Sequence, residues 1–129
     1  MGYRSTIIFG VEQSHASKLD DILKDWEMTP HERLSKSYPS YTMVKDSFGN
    51  YVDHIKGDAL QMVIYKFEYQ KWYNEYPDVI AVTKFLEELH EEHEETTFLI
   101  GLGEMGETHS EIGEWYNFVD HISKLEIQE

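Results

Sequence analysis

The ten residues from Leu60 to Tyr69, LQMVIYKFEY, constrain the fold of this chain more than any other segment. A strand with one wet face alternates apolar and polar residues. Here Leu60, Met62 and Ile64 occupy one parity and Val63, Tyr65 and Phe67 the other, so both faces of the strand need cover. The segment therefore predicts a central strand, with helices on one side and a partial layer on the other. A second well-defined signal follows it. After Pro77, Val82, Phe85, Leu86 and Leu89 recur at helical spacing, Asp78 is a candidate N-cap, and Lys84, Glu87, Glu88, Glu91 and Glu92 form the outer face to a helix end near His93.

The remaining segments fit around these two. Tyr3 to Phe9 is β-branched and aromatic and reads as a strand ending at Gly10. Ser14 or Ser17 is placed to cap a helix carrying Leu19, Ile22, Leu23 and Trp26 on one face and ending near Glu27. Met28 to Ser40 contains Pro30 and Pro39 without a period, which predicts a loop with a helical turn at Pro30–Arg33. Tyr41–Lys45 and Tyr51–Ile55 flank the turn Phe48-Gly49-Asn50 and read as a hairpin. Thr96–Leu102 predicts a strand closing into a glycine-rich loop. The tail has two readings. Thr108-x-x-Glu111 can open a helix with Ile112, Trp115, Val119 and Ile122 on one face. Alternatively the chain turns near Gly113 and forms a strand over Asn117 to Ile127, which is preferred because glycine costs a helix about 1 kcal/mol.

The order is then β-α-β-β-α-β with an additional C-terminal strand as an option. That is an α+β fold, a mainly antiparallel sheet with two helices on one face, close to ferredoxin-like. The 129 residues suit a single domain, 1–129, able to bury roughly two thirds of its unfolded surface. No cysteine is present, which excludes disulfides, thiolate metal sites and cysteine nucleophiles and suits a reducing compartment. No apolar run approaches the ~20 residues of a membrane helix.

Charge is the strongest functional signal. Residues 1–60 hold nine acids against seven bases, residues 61–129 sixteen against four, and no Lys or Arg lies between Phe85 and Ser123. Direct nucleic-acid binding needs a basic footprint and is not expected, nor is an anionic membrane surface. Two readings remain: a solvated acidic face that keeps the protein soluble, or a face that engages a basic partner.

Other motifs are weaker. His90-Glu91-Glu92-His93-Glu94-Glu95 brings two histidines within one turn, but lacks the H-E-x-x-H spacing of a zincin, so neither a metal nor any other cofactor is assigned. His109 and His121 join only if the fold brings them close. Gly101-Leu102-Gly103-Glu104-Met105-Gly106 matches G-x-G-x-x-G, yet it lies late in the chain among carboxylates that repel a pyrophosphate. No nucleophile elbow occurs, and no catalytic residue is assigned. The segment YQKWYNEYPDV, Tyr69 to Val79, is either a packed corner or an exposed aromatic patch. Tyr69, Pro77 and Val79 read as architectural, whereas Trp72, Tyr73 and Tyr76 are of the types enriched at interface hot spots.

The opening Met-Gly-Tyr-Arg-Ser, the run Lys71-Trp72-Tyr73 with Tyr76, Asp78 and Val79, and the turn Leu102-Gly103-Glu104 with the following acidic pair Glu111-Ile112 resemble a set of small tailed-bacteriophage proteins. Met28 to Gly57 carries no such likeness. The resemblance implies a phage accessory protein in the cytoplasm of an infected bacterium, with no catalytic residues to carry over. The expected function is non-enzymatic binding of a host or phage protein with a basic surface, inhibiting host machinery or defence. The contact residues would be Trp72, Tyr73, Tyr76, Glu87, Glu88, Glu91 and Glu92. One alternative is DNA mimicry, which needs acids near the ~7 Å spacing of phosphates along a strand. Another is a metal-binding protein or hydrolase built on His90 and His93.

Overall fold

The computed structural model describes residues 4–38, 41–55, 59–121 and 125–127, with backbone alone for 41–44, 53–55, 117, 120–121 and 125–127. Tyr3 and Ile122, named above in a strand and a helix, lie outside the described residues. The architecture is α+β. Strand β1 (Ser5–Glu12) leads through a short 3-10 turn, Gln13–His15, into helix α1 (Ala16–Asp25). Strands β2 (Glu32–Tyr38), β3 (Tyr41–Lys45), β4 (Tyr51–Ile55) and β5 (Leu60–Gln70) precede helix α2 (Pro77–Glu92). Strands β6 (Phe98–Gly103), β7 (Thr108–Ile112), β8 (Val119–His121) and β9 (Leu125–Ile127) complete the order.

Five strands form one antiparallel sheet in the order β2-β5-β1-β6-β7, while β3-β4 and β8-β9 are separate pairs. The doubly apolar strand β5 is interior but not central: it is paired on one side with β1 (Phe9 opposite Tyr65), which takes the middle of the sheet, and on the other with the edge strand β2 (Arg33 opposite Tyr65). One face of the sheet presents Ile7, Phe9, Val63, Tyr65, Phe67 and Leu99 to Leu19 and Leu23 of α1 and Val79, Val82 and Leu86 of α2. Phe9 is at its centre, stacked 5.3 Å from Tyr65 and 5.6 Å from Phe67. The opposite face carries Ile8, Met62, Ile64, Phe98 and Ile100, covered by Tyr38, Phe118 and Val119. Phe98 and Phe118 stack at 4.7 Å, so the C-terminal segment supplies the second layer that β5 requires.

Asp20 of α1 ties the helix layer to the sheet. It accepts two hydrogen bonds from Arg33, 3.1 Å from Nε and 2.8 Å from Nη2, and a third from the Tyr65 hydroxyl at 2.8 Å. Partial burial works against its charge, but the bonds from Arg33 and Tyr65 outweigh this and hold its carboxyl below the usual aspartate range.

Several expectations require correction. Glu32–Tyr38 is a strand, not a loop, and no helical turn forms at Pro30–Arg33. Pro30 precedes it, Pro39 and Ser40 lie outside the described residues, and its weak pattern reflects an exposed edge whose ladder is supplied by β5. Neither Ser14 nor Ser17 caps α1; His15 occupies that position without a side-chain bond. Trp26 lies beyond α1 and is 45% exposed, whereas Met28 folds back into the core. The helix ends in a Schellman arrangement, with Met28 N–H bonded to Leu23 O at 2.8 Å and Glu27 N–H to Lys24 O at 3.1 Å. This puts Glu27 at φ 55°, a conformation usually left to glycine. Tyr76, not Asp78, is the N-cap of α2, with Pro77 in the first turn and Asp78 accepting from Val79 N–H. Thr108–Ile112 is a strand paired with β6, so the helical reading of the tail fails there; Gly113 turns the chain at φ 67°.

Candidate functional site

The aromatic corner divides once the chain is folded. Trp72 is 5% exposed, its ring tilted 6.3 Å from Phe9. It is a core residue, which withdraws it from any contact surface in this conformation. Tyr73 and Tyr76 are half-buried and meet edge to face at 5.0 Å, where the chain leaves β5 and enters α2. Val79 is buried as expected. Tyr69 stands at the end of β5, one residue before its last, and is 80% exposed at φ 56°, with its carbonyl accepting from Arg4 Nη1 at 3.4 Å.

The acidic residues of α2 stand where the helical period places them. Glu87, Glu88, Glu91 and Glu92 are all exposed, and none joins an ion pair among the described residues. The two pairs, Glu87 with Glu91 and Glu88 with Glu92, repeat at one turn, a rise of ~6 Å. Like charges at this spacing repel, and acids in a last turn oppose the helix dipole. Their placement therefore does not serve the helix. Beside them, a groove of about 460 Å³ runs between α2 and the edge strand β7, lined by Ile80, Thr83, Glu87, His109, Ser110 and Glu111. Ile80 is 50% exposed, an apolar side chain beside the carboxylates.

Three polar clusters were not legible as such in the sequence, because their members lie far apart along the chain. One is the Asp20–Arg33–Tyr65 set described above. In the second, His109 bridges Ser5 and Ser110, with Nε2 2.9 Å from Ser5 Oγ and Nδ1 2.9 Å from Ser110 Oγ. Burial pushes the His109 imidazole below the usual histidine range, against the opposing charge of Glu107. A neutral ring suits a bridge between two hydroxyls. Ser5 is 4% exposed, and among the described residues no carboxylate hydrogen-bonds the ring, so the pair lacks an accessible nucleophile. In the third, the side chains of Glu12, His15 and His93 converge. His90 does not join them; its ring lies against Gly113.

The G-x-G-x-x-G match is a β-hairpin. Gly101 and Gly103 lie in β6, and Gly106 is in the turn to β7 at φ 83°. No helix opens there to receive a phosphate. No helix among the described residues is long and apolar enough to cross a membrane. Comparison with protein-family models, with curated proteins and with solved structures finds no match to this chain.

Proposed function

We propose that this chain is a non-enzymatic phage accessory protein that binds a basic surface of a host or phage protein, inhibiting host machinery or defence in the infected cell's cytoplasm. The observation that carries the reading is the exposed row Glu87, Glu88, Glu91 and Glu92, unpaired among the described residues and set against the helix's own electrostatics. In this mechanism the carboxylates steer a basic partner, and the α2–β7 groove with Ile80 receives an apolar side chain. Tyr73 and Tyr76 border the site as half-buried contacts. The ~6 Å rise between paired acids also favours a second reading, mimicry of a phosphate row. Lys84, exposed one turn before Glu88, interrupts that row and makes the general protein-binding reading the better supported.

We further propose a ferredoxin-like fold: with the β3-β4 hairpin taken as an insertion and β7 as an addition, the order β6-β1-β5-β2 with two crossover helices supports that reading.

Affinity purification from infected cells tests the function. The tagged wild-type chain is expected to retain one specific partner, and the variant with Glu87, Glu88, Glu91 and Glu92 all changed to Lys to lose it. If no partner is specific to the wild-type chain, or if the variant keeps it, the reading fails.

A further inference from the structure

We infer that Glu12, His15 and His93 form a binding site for a divalent cation of the zinc class. The three residues come from separate places: the last position of β1, the 3-10 turn that follows it, and the residue that ends α2. One donor atom from each lies within 4.8 Å of the other two. The two imidazole rings are 4.6 Å apart at 46°. Two imidazoles and one carboxylate are a donor set that first-row divalent ions take, and zinc accepts it without a preferred d-electron geometry.

Three further observations favour an ion. All three residues are half-buried, so their polar atoms have only partial access to water. None of the three side chains makes a hydrogen bond or ion pair among the described residues. Half-buried polar groups ordinarily find a partner. The frame is also firm, because the His93 N–H donates to Leu89 O at 2.9 Å and its carbonyl accepts from Thr96 N–H at 3.2 Å.

The adjustment needed is small. Zinc bonds of ~2.0–2.1 Å in a tetrahedron put donor atoms ~3.3 Å apart, so atoms now within 4.8 Å close in by about 1.5 Å through side-chain rotation. Three protein ligands leave one position for water or for a group on a bound partner. The site would also pin the end of α2 to the β1–α1 junction and hold the base of the acidic helix in place. It differs from the sequence reading of His90 with His93, since His90 faces Gly113 instead.

Zinc titration of the full chain by calorimetry, with thermal melts followed by circular dichroism, tests the site. The wild-type chain is expected to bind one zinc ion and to melt several degrees higher when the ion is in excess, because a ligand that binds only the folded state stabilises it. Glu12→Gln, His15→Ala and His93→Ala should each weaken zinc binding by about tenfold or more, while His90→Ala leaves it unchanged. Where an alanine variant does not fold, His15→Asn or His93→Asn replaces it. Two results would overturn the site: no zinc binding by the folded wild-type chain, or binding that survives the three ligand changes and disappears with His90→Ala.

Discussion

Trp72 fills the helix-facing core beside Phe9, so Trp72→Ala should remove about 3–5 kcal/mol of stability, read from the shift in a urea midpoint. A change near zero would return Trp72 to the surface. The opposite substitution is expected at Glu27, whose φ of 55° strains a non-glycine residue at the C-terminus of α1. Glu27→Gly should stabilise the protein by about 0.5–1 kcal/mol, since the relief of a left-handed backbone exceeds glycine's added chain entropy. His109 supplies a pH signature. Its folded imidazole titrates below the ordinary 6.5, so its contribution is complete above that value and is lost as the pH falls through the lower folded value. Melting temperatures of the wild-type chain and His109→Gln measured from pH 8 down to 5 should therefore converge on the acid side. Curves that stay parallel would remove His109 from the linkage.

Among the elements, the β3–β4 hairpin is set apart from the main sheet. Tyr38 of β2 pairs directly with Leu60 of β5, so those strands form a ladder that a two-residue Asn-Gly turn can close in place of residues 39–59. The shortened chain should keep its circular dichroism spectrum and a cooperative melt. Loss of cooperative unfolding would mean that the insertion is part of the core. The elements also show where sequence patterns carry enough information. β5 and α2 were legible because one is apolar on both parities and the other repeats a tight stripe, and burial alone decides each. β2 and β7 were not, because an edge strand is held by its neighbour's hydrogen bonds and keeps polar residues on both faces.

For the whole molecule, the acidic excess gathers in residues 61–129, and α2 carries part of it at a cost. Changing Glu87, Glu88, Glu91 and Glu92 to Gln removes two like-charge pairs worth about 0.2–0.5 kcal/mol each, so the variant should be slightly more stable in chemical denaturation. The same variant should lose the partner, and the wild-type association rate should fall steeply with added salt. Greater stability with undiminished binding would separate the acidic face from function.

The candidate site was legible only in part. Periodicity alone put the four glutamates on the outer face of one helix, since nothing else in the chain competes for that stripe. Sequence by itself also determined that β5 is an interior strand covered on both faces, the two helices and the absence of thiol chemistry, because local pattern and composition carry these directly. Tertiary structure decided the rest. It buried Trp72 and exposed Tyr69, although both belong to one aromatic stretch, because only one of them meets Phe9. It also gathered Ser5 with His109, and Glu12 and His15 with His93, across gaps of about 80–100 residues. Contacts of that span arise from strand pairing and helix packing, and no local pattern encodes them.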